Sequence, residues 1–210
     1  LELLLKQKLA GLSPPWTGEP MIPKLRLDAL TDGVFAVAMT LLVIDLRLPE
    51  LFRPHDNAEL MRHLAALGHQ VLVYVISFYV LALCWVGRVR SGPGDEEVGK
   101  HHVALVLSYL LLITFLPFAT SVIGRFRGFP TAVWLYACNM FLLAAVALRI
   151  ALISNSEAGA RREAKIGLIT VMVAAVATVI ISFIAPRWAM FAYAINFIQG
   201  STGALLRRKK

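Results

Sequence analysis

Three polar side chains open an otherwise apolar stretch of this chain. In the run RLDALTDGVFAVAMTLLVIDLRL, from Arg26 to Leu48, residues Asp28, Thr31 and Asp32 precede an apolar segment long enough to cross a bilayer. A carboxylate next to hydrocarbon is costly, so an acid in such a place marks a functional site or a group with a dedicated partner. Arg26 is the nearest candidate partner in sequence. At the far end of the stretch Asp45 stands close to Arg47 and Arg53. Two roles are open for it: raising the local cation concentration by electrostatic focusing, or an ion pair with one of those arginines.

Other chemistry finds little support. The two cysteines, Cys84 and Cys138, both fall inside apolar runs and read as buried free thiols. No CxxC or Cys/His spacing is present, so no metal site is expected. His101 and His102 would titrate near neutrality, but adjacent histidines at the start of a helix are ordinarily interfacial. His55, His63 and His69 show no ligand spacing. Neither a phosphate-binding glycine loop nor a nucleophile-and-base arrangement occurs. The expectation is a protein that is not an enzyme and needs no cofactor.

The elements that must carry these residues are apolar helices. Of the 210 residues 58% are apolar, against about half in a soluble domain. Crossing hydrocarbon takes roughly 20 mostly apolar residues, and such runs lie near 25–48, 64–86, 103–123, 132–153, 166–185 and 188–206. The expected fold is all-α, a polytopic membrane protein with six transmembrane helices. Asn196, Gln199, Ser201 and Thr202 make the sixth run the most polar. Breaks are expected at 49–63, 91–100 and 154–163, and Pro117 should kink the third span.

The net charge of +8 would suggest nucleic acid in a soluble protein; in a membrane protein it is read loop by loop. One side collects Lys6, Lys8, Lys24, Arg26, Arg88, Arg90, Lys100, Arg149, Arg161, Arg162, Lys165, Arg207, Arg208, Lys209 and Lys210. That is 15 of the 21 basic residues, which puts both termini in the cytoplasm and gives nucleic acid no role. Residues 1–22 read as a cytoplasmic tail or surface segment, 23–206 as the membrane domain and 207–210 as a basic cytoplasmic tail.

At about 100° per residue, Val37, Leu41 and Ile44 form one apolar stripe on the first helix, bordered by Thr40. Asp28 and Asp32 lie nearly opposite and should face neighbouring helices. Such a stripe ordinarily meets lipid or other helices; the sharper alternative is a hydrophobic constriction lining a pore.

The first span resembles the bacterial members of the TMEM175 potassium-channel family, whose signature is Arg, three residues, then Phe-Ser-Asp-Gly. Here it reads Arg26, Leu27, Asp28, Ala29, Leu30, Thr31, Asp32, Gly33, with Leu30 for Phe and Thr31 for Ser. The run LLLITFLPFATSVIG at 110–124 is similar to the family's third helix, with its Pro-Phe-x-Thr pattern followed by Gly. The family commonly has Trp followed shortly by His-His after the second span. In this chain Trp85 is followed by Val86, Gly87 and Arg88, and His101-His102 come only after the acidic loop. With these departures the resemblance covers roughly 24–206.

The resemblance implies a homotetramer in the bacterial cell membrane, with four first helices around a central pore passing K+ and, to some degree, other monovalent cations. It makes Val37 the narrowest ring, followed outward by Leu41 and Ile44, with Thr40 supplying a hydroxyl and Asp45 at the outer mouth. Arg26, Thr31, Asp32 and Gly33 become a scaffold network that fixes the first helix. The family usually has a larger aliphatic residue at Val37, so discrimination between K+ and Na+ is expected to be weaker here. A proton channel or proton-coupled transporter, and a non-conducting membrane scaffold, are the alternatives.

Overall fold

The computed structural model describes residues 22–48, 53–90, 97–126, 128–153 and 158–184. Their architecture is helical: α1 (Lys24–Ile44), α2 (Asn57–Ala66), α3 (Gly68–Arg90), α4 (Lys100–Arg125), α5 (Pro130–Ile153) and α6 (Ala158–Ile184). A two-residue antiparallel ladder joins β1 (Ile22–Pro23), ahead of α1, to β2 (Glu97–Val98), ahead of α4. It holds the starts of α1 and α4 together at one end of the bundle.

Five of the described helices, all but α2, are long and apolar enough to cross a membrane. A backbone in hydrocarbon has no water to bond, so helices that satisfy their own amides are the natural solution for these runs. They agree with the first five expected spans, and the sixth, 188–206, lies outside the described residues. Two boundaries moved. The second span begins at Gly68, because α2 (Asn57–Ala66) takes up the end of the expected break at 49–63 and the first residues of the expected span. Asp56 caps that helix, its Oδ1 accepting from the Glu59 amide at 2.6 Å while Glu59 Oε2 accepts from the His55 amide at 2.8 Å. The first bond satisfies a donor that a helix start otherwise leaves open, and the second ties the residue before the cap back onto the helix. Helix α6, which carries the fifth expected span, likewise starts at Ala158, inside the expected break at 154–163.

The core gathers on α4, half of whose membrane-crossing stretch is buried, against 17% for α3 and for α6. Val106, Tyr109, Ile113, Leu116 and Ile123 of α4 pack with Phe35, Ala38 and Leu42 of α1, Val73 and Leu81 of α3, and Tyr136, Met140 and Leu143 of α5. Helix α6 leans on α5 from the far side. A buried hydroxyl chain ties three helices, with Thr120 donating to Ser77 at 2.9 Å and Ser77 meeting Tyr136 Oη at 3.2 Å.

Pro117 is buried and α4 runs on through it. The missing N–H leaves the Ile113 carbonyl without its helical donor, and Asn139 of α5 donates to the adjacent Leu112 carbonyl at 3.3 Å. The thiols differ from expectation: Cys84 is half-buried and Cys138 is exposed on the outside of α5.

Candidate functional site

Helix α1 has two faces. Leu27, Thr31, Phe35, Ala38 and Leu42, spaced by three and four residues, are buried against α3 and α4. Val37, Leu41 and Ile44 are 57%, 42% and 53% exposed. Ala29, Leu30, Gly33, Val34, Val37, Ala38 and Leu41, with Thr114 of α4, line an open groove of about 420 Å³ along that face. Nothing lies within 4 Å of where a Cβ on Gly33 would stand, so the absent side chain keeps the groove wide. The Thr40 hydroxyl donates to the Val37 carbonyl at 2.8 Å; Thr114 does the same to Leu111 at 2.9 Å. Each hydroxyl oxygen keeps its lone pairs free to accept.

The acids at the start of α1 do face a neighbouring helix, α3, and find partners that sequence proximity did not suggest. Asp32 Oδ1 accepts from the Trp85 indole Nε1 at 2.8 Å. Asp28 Oδ1 lies 3.8 Å from Nη2 of Arg88. Asp28 and Asp32 are one turn apart, as are Trp85 and Arg88, so two turns of antiparallel helix meet side by side. Arg26 is exposed and stands apart from both contacts. Thr31 is buried, and its hydroxyl donates to the Leu27 carbonyl of its own helix at 2.8 Å. The structure therefore does not gather Arg26, Thr31 and Asp32 into one cluster, since adjacent helical positions differ by about 100° and point to different neighbours. Trp85 and Arg88 are the residues that sequence reasoning left out. The available signal was their spacing at the end of α3, which an antiparallel α1–α3 hairpin brings beside the start of α1.

At the finish of α1, Asp45 Oδ1 is 3.0 Å from Nη2 of Arg125, the last residue of α4. This ion pair reaches across helices, whereas Arg47 and Arg53 were the arginines near in sequence. Arg47 instead donates from Nε to the Ile44 carbonyl at 3.1 Å, closing the end of α1. His101 and His102 sit in the first turn of α4, the former exposed and the latter half-buried. Among the described residues no group of three His, Cys, Asp or Glu side chains is arranged to hold a metal ion.

Residues 26–117 match the family described as "Endosomal/lysosomal potassium channel TMEM175". A potassium channel of Streptomyces collinus is 29% identical over 123 residues, 57% of this chain and 58% of its own length. The endosomal/lysosomal proton channel TMEM175 of Gallus gallus is 24% identical over 112 residues, 53% of this chain and 22% of that protein. The chain thus spans little more than half the length of the first relative and far less of the second. In three dimensions it is similar to the crystal structure of a lysosomal potassium-selective channel TMEM175 homolog from Chamaesiphon minutus. The TM-score is 0.71 at 22% identity, covering 82% of this chain and 94% of that one. At this identity the likeness is one of fold, and with the five apolar helices it describes an integral membrane protein.

Proposed function

This chain belongs, through its residues 26–117, to the TMEM175 family of ion channels, and on that premise we propose that it is a potassium-preferring cation channel. Four copies assemble with α1 of each around a central pore. The pore constriction is made by Val37, Leu41 and Ile44, with Thr40 beside it, and Asp45 stands at the outer mouth. The observation that carries the reading is the two-faced α1: its apolar stripe stays outside the core of the subunit while the opposite side is packed and anchored to α3. Small residues, Ala29 and Gly33, leave room in the adjoining groove for a second copy of the helix, as small residues do where membrane helices approach closely.

A dry neck of aliphatic side chains opposes permeation because an ion entering it loses hydration without compensating ligands. Conduction then depends on side-chain movement or wetting of the neck. Val37 presents less bulk than the family's usual residue, so Na+ is excluded less strictly. Asp32 and Gly33 act at a distance from the ion, fixing the helix and its approach to the next. In this reading residues 23–206 form the channel domain, with the tails 1–22 and 207–210 in the cytoplasm of a bacterial cell.

A second reading, proton conduction, is favoured by one observation, the proton-channel name of the Gallus gallus relative. Flux from liposomes holding the purified protein separates the two. K+, Na+ and a proton-only gradient are compared, with Leu41→Asn alongside. The channel reading expects K+-favouring flux that Leu41→Asn makes less selective. Proton flux alone would favour the second reading, and silence from well-folded protein would favour a non-conducting scaffold.

A further inference from the structure

We infer that Arg125 limits cation entry by neutralising Asp45 at the mouth of the pore, an inference that rests on the α1-lined channel proposed above. Asp45 directly follows Ile44, the last residue of the exposed stripe, and is turned by about 40° from Leu41 at 100° per residue. Any ion leaving or entering the neck at that end passes its carboxylate. Taken alone, Asp45 would concentrate cations there. Arg125 removes that advantage: its Nη2 holds Asp45 Oδ1 at 3.0 Å. Arg47 is kept at the same end by its bond to the Ile44 carbonyl at 3.1 Å. Asp45, Arg125 and Arg47 together thus place one carboxylate and two guanidinium groups at the finish of α1.

Helix geometry explains why the pairing forms. The starts of α1 and α4 are tied together by the β1–β2 ladder, so the two helices run in parallel and finish at the same end. There the negative ends of both macrodipoles favour a cation, and Arg125 occupies the last turn of α4. Asp45 and Arg125 side chains are 31% and 48% exposed. Their field reaches the aqueous mouth, and mobile salt screens it. Arg125 is a positioning and charge-setting residue; it need not touch the ion.

The test is single-channel conductance in planar bilayers, in about 10 mM and about 1 M KCl, where screening lengths are about 30 Å and about 3 Å. Arg125→Gln is expected to raise cation conductance about threefold or more at low salt, and to leave it near the parent value at high salt. Arg125→Lys should restore the parent conductance, since it restores the charge. Asp45→Asn should lower low-salt conductance by a similar factor. If Arg125→Gln and Asp45→Asn leave low-salt conductance unchanged, or change it equally at both salts, the inference is overturned. Should Arg125→Gln fail to assemble, the Asp45→Asn result at the two salts decides alone. Leu41→Asn keeps the underlying reading separate. Parent protein that never conducts, or a Leu41→Asn variant indistinguishable from it, overturns the α1-lined pore itself. A conducting parent with an altered Leu41→Asn variant and inert Arg125 and Asp45 overturns only the charge-setting role.

Discussion

Both ends of α1 carry carboxylates, and they are tied down by different physics. At the start, Asp32 takes a 2.8 Å hydrogen bond from the uncharged Trp85 indole, while Asp28 has only a 3.8 Å contact with Arg88. At the finish, Asp45 is held by an opposite charge at 3.0 Å. The first is directional: it fixes a rotation of α1 against α3 and leaves the carboxylate's charge uncompensated by the donor. The second is mainly Coulombic, tolerates small shifts and fades with salt. The start thus fixes the rotation of α1, while the field at its finish varies with salt.

The sharpest way to break this comparison is at the start. Asp32→Ala and Trp85→Phe should each cost about 1.5–3 kcal/mol, the range for a hydrogen bond to a charged group. Combined, they should cost much less than the sum, because each already removes the same bond. Thermal unfolding of the solubilised protein, read with the fraction found in the proposed tetramer, checks this. Additive losses, or a stable tetramer with altered ion preference in Asp32→Ala, would contradict the anchoring role. At the finish, Arg125→Gln should lower stability by no more than about 1 kcal/mol, as exposed ion pairs do. A larger loss would make the pair structural. The smallest effect is expected at Thr31→Val, about 0.5 kcal/mol or less. Its hydroxyl bonds back to the Leu27 carbonyl of the same turn, and such a bond contributes little to helix stability. A loss matching Asp32→Ala would mean that Thr31 belongs to the Asp32 network after all.

The sequence carried the two-faced nature of α1 well. Val37, Leu41 and Ile44 read as one stripe from spacing alone, and they are exposed in the structure. The acids read as facing a neighbour, and they meet α3. The partners themselves were not readable, because Arg26, Arg47 and Arg53 were chosen by nearness along the chain. Trp85 lies 53 positions from Asp32 and Arg125 lies 80 from Asp45. The capping pair of Asp56 and Glu59 was present in sequence, but α2 is only ten residues long and none of them is buried, so it falls short of the roughly 20 apolar residues that mark a span.

By itself, then, the sequence determined that apolar runs of membrane-crossing length become helices, since a backbone in hydrocarbon must bond to itself. Helical periodicity alone assigned the two faces of α1. Only the tertiary structure decided which charges cancel. The rotation and register of one helix against another emerge from packing Phe35, Tyr109 and their neighbours into a shared core. That packing decides whether two side chains far apart in the chain end 3 Å from each other or on opposite sides of the bundle.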